Sequence, residues 1–161
     1  MDLRIRRARE SDVDELVDLT LLAFVPVFKS FRGLLGPVIY SQIWPDWRKS
    51  QREAVESFCR DPGSRVVLVA EVEGKVVGLV VYQPDSKNKK AEVVFLAVHP
   101  DYQNRGVGTE LNRHALEEMG LAGVNLAVVE TGGESSHAAA RRTYEKAGYT
   151  ALPLIRYFKK L

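Results

Sequence analysis

The chain has 161 residues, enough for one compact domain with a real core, and its apolar (45%) and charged (27%) shares are ordinary for a globular protein. A formal net charge of +2 is too small to make nucleic acid the expected main partner. Cys59 is the only cysteine, which excludes an intramolecular disulfide and a cysteine-built zinc site. Neither a signal peptide nor an apolar run near 18 residues is read from the sequence, so the expected location is the cytoplasm, with no membrane partner.

The elements are taken in chain order, as one domain over residues 1–161. LRIRR (3–7) alternates like a short strand, and its arginines read as surface charge or, as a weaker alternative, a basic interaction patch. ESDVDELVDLTLLAF follows as a helix, with Ser11 or Asp12 as N-cap and Val13, Leu16, Val17 and Leu21 on one face. Residues 26–63 hold Phe28, Phe31, Tyr40, Trp44 and Trp47 between Pro26, Gly33, Gly36, Pro37 and Pro45. This reads as broken helix, with Trp44-Pro45 marking a break and a second helix from about Asp46 to Cys59. The aromatic residues either belong to the core or border a cleft for a ring-bearing substrate, with Phe28, Tyr40 and Trp44 as candidate contacts.

Periodicity then changes to that of strands. RVVLVAEVEGKVVGLVVYQ is a hairpin turning near Glu73-Gly74. AEVVFLAV (91–98) is apolar on both faces and suits the sheet centre. A helix over 105–120 buries Val107, Leu111, Ala115 and Met119, and VNLAVVE (124–130) is a further buried strand. HAAARRTYEKAG is a helix stopped by Gly148, and LPLIRYFKK is expected as a last strand.

Three features could carry chemistry. In QNRGVGT, Gly106 and Gly108 open a helix straight after a buried strand. Each mid-helix glycine costs about 1 kcal/mol against alanine, so the pair needs a tight turn or a ligand at the backbone. A helix N-terminus suits phosphate, to which Arg105 and Thr109 could add a cation and a hydroxyl. G-V-G-T-E-L lacks the third glycine of the dinucleotide fingerprint, and no P-loop exists. On the last helix, His137, Ala140 and Tyr144 share one face, with Arg141 beside them. Glu92 is the only carboxylate in AEVVFLAV, either a solvated strand-end residue or one placed in a cleft.

AEVVFLAVHPDYQNRGVGTEL resembles the acetyl-CoA-binding segment of the GNAT superfamily of N-acetyltransferases, whose signature [RQ]-x-x-G-x-[GA] is met by Gln103 to Gly108. HAAARRTYEKAGY (137–149) is similar to its later signature N-x-x-A-x-x-x-Y-E-K-x-G-[FY], in the right order and with a strand between. The resemblance is tight over 91–149 and only in outline over 1–63. It implies an α/β fold with a single mixed central sheet of six to seven strands flanked by about four helices. It implies a transferase acting by direct attack of a primary amine on acetyl-CoA, with no metal. No nucleic-acid or membrane partner is implied, and a homodimer is allowed for. The implied coenzyme contacts are Gln103, Asn104, Arg105, Gly106, Val107, Gly108 and Thr109 at the pyrophosphate, and the main chain of Leu96, Ala97 and Val98 along the pantetheine arm. His137, Ala140 and Tyr144 complete the set, His137 standing where the family often has asparagine. Tyr144 would protonate the leaving thiolate and Glu92 is the candidate base. The acceptor stays open among small amines, antibiotics, peptide N-termini and lysines. A non-catalytic acyl-CoA sensor on the same fold is the alternative.

Overall fold

The computed structural model describes residues 2–161. Five strands, β1 (Leu3–Arg7), β2 (Val66–Val72), β3 (Lys75–Asp85), β4 (Lys90–Val98) and β5 (Leu126–Val129), lie in the order β1-β2-β3-β4-β5. Neighbours are antiparallel except β4 and β5, which are parallel. Four helices pack around them: α1 (Val13–Ile43), α2 (Trp47–Arg60), α3 (Val107–Leu121) and α4 (Ala138–Lys146). The β2–β3 hairpin turns where expected, with Glu73 (φ 51) and Gly74 (φ 80) both left-handed, as a two-residue turn matched to strand twist requires.

The sheet separates two cores. On one face α3 lays Val107, Leu111, Ala115 and Met119 over Leu68, Val80, Val93 and Val98. On the other, Leu16, Val17 and Leu19 of α1 and Val55 of α2 cover Val69, Leu79, Val81 and Ala97. Each such buried aliphatic side chain stabilises the fold by about 1.5–3 kcal/mol. The start of α1 is tied to the sheet by Arg6, whose guanidinium donates to Asp12 Oδ2 (2.7 Å) and Oδ1 (2.9 Å) and to Glu71 Oε2 (2.8 Å). Arg6 therefore belongs to the fold, not to a surface patch.

Several expectations need correction. The break expected at Trp44-Pro45 is where α1 ends, but before it the helix runs on through Pro26 to Ile43 with one interruption, at Gly36 (φ 73, ψ 162). The residue before Pro37 is pushed out of the helical region, and glycine alone takes the positive φ without strain. With its preceding turn, Glu10–Ile43 is also long and apolar enough to cross a membrane by length and composition, contrary to the reading that no such run exists. Its first turns pack on the sheet through Val13, Leu16, Val17 and Leu19, while only 11% of its most apolar 18-residue window is buried. The last strand is absent: residues 150–161 have no regular structure, and Leu152 and Tyr157 are 80% and 87% exposed. Pro153 removes a ladder donor there, and β5 has only four residues to offer. The sheet therefore has five strands, and β5, expected to be buried, is a half-exposed edge.

Candidate active site

The site begins where β4 and β5 part. Their ladder joins Lys90–Val93 to Leu126–Val129 and stops. A bulge follows immediately: β3 residues Tyr82 and Val81 face Val93 and Phe95, so Val94 is an extra residue that bends β4 away. Beyond it, His99 donates its N–H to the Val77 carbonyl on the β3 side (2.9 Å). Backbone groups alternate sides along a strand, so those of Leu96 and Val98 point away from β3, into the gap that β5 has left. The Val98 carbonyl accepts from Gln103 Nε2 (2.9 Å), while Leu96, paired with Val80 on the β3 side, has no strand on its other side. Ala97 sits between them with its side chain in the α1 core.

The glycine turn lies at the end of that same strand segment. Asn104 (φ 58) and Gly106 (φ 84) are left-handed, a conformation asparagine tolerates and glycine adopts freely. The first α3 bond runs from the Glu110 N–H to the Gly106 carbonyl (2.9 Å), and no side chain caps the helix. The N–H groups of Val107, Gly108 and Thr109 thus precede any helical acceptor, at the positive end of the helix dipole. Val107 buries its side chain, so it can contribute only its backbone to a ligand. Gly108 is the informative residue. A Cβ there would make ordinary contacts with Val98 (3.6 Å) and Leu96 (3.7 Å), and its φ is not positive. Among the described residues nothing requires glycine at 108. Arg105 lies over the Tyr102 ring (5.6 Å to the centroid), exposed at the rim.

Tyr144 is buried on α4, and burial, with a smaller contribution from Tyr149, pushes its phenol up to about 12. Its hydroxyl has no hydrogen-bond partner among the described residues, and Tyr149 meets its ring edge-on at 5.6 Å. Gly148 (φ 86) ends the helix as expected: its N–H bonds the Glu145 carbonyl and that of Tyr149 the Tyr144 carbonyl, which returns Tyr149 onto the helix. Glu92 lies on the part of β4 still paired on both sides, opposite Gln83 and Val128. It is solvent-exposed, on the face opposite the buried side chains of Ala91 and Val93.

The loop after β5 gives His137 and Arg141, both read as candidates, partners that sequence reasoning passed over: Gly132, Glu134 and Ser136. Glu134 and His137 meet through Oε1 and Nδ1, Ser136 Oγ donates to the same carboxylate oxygen (2.8 Å), and Arg141 Nη1 donates to the carbonyls of Gly132 (2.6 Å) and Glu134 (2.7 Å). Burial works against ionising Glu134, but the hydrogen bonds from His137 and Ser136 outweigh it and hold the carboxyl below its usual range. The one available signal was Glu-x-x-His spacing. Across the site the His137 ring stacks on Phe31 of α1 (5.8 Å), and Phe31 stacks on Trp44 (4.9 Å). Phe28 and Tyr40 are buried with Trp47, Phe28 lying flat on Trp47 at 4.4 Å, so both brace α1 against α2, while Trp44 and Phe31 are only half-buried. Ala140 is half-buried on α4.

Residues 37–149, more than half of the chain, match the family model described as acetyltransferase (GNAT) family. The chain belongs to the GNAT family. An uncharacterized N-acetyltransferase of Methanocaldococcus jannaschii is 26% identical to this GNAT protein over 90% of the chain, which spans only 59% of that relative's length. An N-alpha-acetyltransferase of Sulfurisphaera tokodaii is 26% identical, covering 98% of the chain and 86% of the relative. Among solved structures, the PaiA N-acetyltransferase of Thermoplasma acidophilum in complex with coenzyme A shares the fold, with a TM-score of 0.70 at 16% identity over 93% of the chain and 91% of its own. The mixed five-stranded sheet with its flanking helices is thus a GNAT fold.

Proposed function

We propose that the chain is an acetyl-CoA-dependent N-acetyltransferase, in which a primary amine attacks the thioester directly in a ternary complex. The observation that carries this reading is the continuity of the open β4 edge at Leu96 with the uncapped, glycine-lined start of α3. An extended amide-bearing arm ending in a pyrophosphate matches those two features in that order: strand-like pairing along the edge, then phosphate at N–H groups. Gln103, Asn104 and Arg105 would flank the pyrophosphate and Thr109 add its hydroxyl. A groove of about 370 Å³ lined by Thr109, Arg113, Glu117 and Lys146, with Arg113 already paired to Glu110 and Glu117, continues from that point and would take the nucleotide end.

The chemistry follows from charge. A lysine-like amine, pKa about 10.4, is almost wholly protonated at neutral pH, and only the neutral form attacks. A base must remove a proton, a contribution of about 10²–10⁴ in rate, and Glu92 is one carboxylate on the strand that carries Leu96. As the nitrogen bonds to the acetyl carbon, negative charge gathers on the carbonyl oxygen, and an N–H of Leu96 in the gap can receive it, an effect of about 10²–10³. With its phenol near 12, Tyr144 keeps its proton at every working pH and is a weaker acid than a thiol of pKa about 8.5. Its part is to hydrogen-bond the leaving sulfur while the C–S bond breaks. Burial raises the Cys59 thiol to about 11 and keeps it on α2 against the core, which fits direct transfer better than an acetyl-cysteine route.

The acceptor lies on the α1–α2 side, where Trp44 and Phe31 expose ring surface beside a positively charged helix face bearing Lys29 and Arg32. The deciding experiment is an acetyl-CoA thiol-release screen over 2-phenylethylamine, spermidine, an aminoglycoside, an alanyl peptide and a lysyl peptide. Release with at least one amine supports the enzyme. Thermal stabilisation by acetyl-CoA without release from any amine supports the non-catalytic sensor instead.

A further inference from the structure

We infer that His137, held by Glu134, is the general base that takes the proton from the acceptor amine, with Glu134 and Gly132 as its positioning residues; this rests on the acetyltransferase reading above. His137 departs from the asparagine usual in the motif it occupies, and the structure shows a site built around the imidazole. The Glu134 carboxylate accepts the Nδ1 hydrogen, with Ser136 Oγ donating to that carboxylate, which fixes the neutral ring in the tautomer whose Nε2 carries the free lone pair. Nε2 has no hydrogen-bond partner among the described residues, and the side chain keeps 19% of its surface exposed.

Two further observations bear on how the loop holds the pair. A Cβ added at Gly132 would lie 2.6 Å from His137 Nδ1 and 2.9 Å from Glu134 Oε1, so a side chain there would push one or both members of the pair out of place. Arg141, one turn along from His137, donates to the carbonyls of Gly132 and Glu134 at 2.6 and 2.7 Å and locks both ends of the turn. The ring plane is set from across the site by Phe31 of α1 at 5.8 Å. His137 therefore joins the helix that carries Tyr144 to the helix that borders the acceptor side. Glu92, by contrast, is exposed and has no partner that orients it.

The charged groups near the imidazole are the Glu134 carboxylate bonded to it and the Arg141 guanidinium bound to the Gly132 and Glu134 carbonyls, while α1, which brings the Phe31 ring, also carries Lys29 and Arg32. In the reaction, the ammonium N–H bond breaks and its proton goes to His137 Nε2, giving an imidazolium stabilised by Glu134. The neutral nitrogen then forms the N–C bond, and the C–S bond breaks. The second proton lost by nitrogen balances the one taken up by the thiolate, and His137 returns its proton to water.

The test uses the full chain, acetyl-CoA and whichever amine of the panel above turns over fastest. His137→Asn, which restores the usual donor, is expected to lower kcat about 10²-fold or more while acetyl-CoA affinity by calorimetry stays within about twofold. The acidic limb of the parent's pH–rate profile should disappear with it. Glu134→Gln should lower kcat less, and Glu134→Asp should recover part of the loss. Unchanged kcat and an unchanged acidic limb in His137→Asn would overturn the proposal while leaving the acetyltransferase reading intact. If the parent chain binds no acetyl-CoA, that reading fails first. A measurement that needs no turnover is nitrogen-15 NMR of the histidines in the parent chain. Neutral His137 protonated on Nδ1 is the expected result, and protonation on Nε2 would overturn the assignment.

Discussion

Replacing Gly108 by alanine should move stability and coenzyme affinity in opposite directions. The added Cβ would meet Val98 and Leu96 at 3.6 and 3.7 Å, ordinary van der Waals distances, and the residue's φ is not in the left-handed region. No packing cost is therefore expected, and alanine gains over glycine in a helix by up to about 1 kcal/mol. Gly108 lies in the first turn of α3, where that gain is reduced, so about 0.5 kcal/mol is a fair expectation. For a chain of this size that corresponds to an apo Tm higher by about 1–2 °C. Acetyl-CoA at 100 times its Kd should stabilise the parent by about 2.7 kcal/mol. If the pyrophosphate passes over the bare backbone at 108, the methyl group intrudes there, and that stabilisation should shrink or vanish in the variant. Urea unfolding of the apo chain and calorimetry with acetyl-CoA read the two effects separately. An apo chain destabilised by more than 1 kcal/mol would show that something inside the protein needs this glycine. Unchanged affinity would show that the coenzyme does not approach Gly108.

Three other outcomes are expected. Tyr144→Phe should lower kcat by about 10²-fold and leave acetyl-CoA affinity nearly unaltered in single-turnover and binding measurements; unaltered turnover would remove the hydroxyl from the mechanism. Asp12→Asn should cost about 1.5–3 kcal/mol in urea unfolding at pH 7 by removing one of the two carboxylates that pair with buried Arg6 and leaving only Glu71. Burial opposes Asp12 ionisation, but the Arg6 and Arg9 hydrogen bonds outweigh it and depress its pKa. Its contribution is thus present above the ordinary carboxylate range and lost as pH falls through the folded value, so parent and variant should converge in acid. Phe28→Ala should cost about 3–5 kcal/mol, because the ring is 5% exposed and stacked on Trp47; a loss of turnover without a loss of stability would make Phe28 a substrate contact instead.

What the sequence made legible was local. The Glu73-Gly74 turn and the Gly148 helix stop each depend on a few adjacent residues, and both occur as read. The apolar run AEVVFLAV placed β4 inside the sheet, where it pairs on both sides over Lys90–Val93, although its Glu92 and Val94 are exposed. The departures involve distant partners. Whether Pro26 breaks a helix depends on what the next turns pack against, and Phe28 finds Trp47 on α2. LPLIRYFKK has strand-like composition, but a strand needs an edge, and the pairing partner is not encoded in the segment itself. The Glu134–His137 pair was hidden most thoroughly. Its two residues are three apart, but the glycine that admits it precedes them and the ring that orients it, Phe31, lies over a hundred positions away in α1.

The central claim is that acetyl-CoA lies along the open edge of β4 and ends its pyrophosphate at the start of α3. Backbone amide NMR of the full chain during titration with acetyl-CoA tests it most directly. The largest shifts are expected at the amides of Leu96, Val107, Gly108 and Thr109, saturating together. Shifts confined elsewhere, such as the groove beside Tyr82 and Glu118, or no shifts with acetyl-CoA but clear ones with ATP or NAD, would contradict the account.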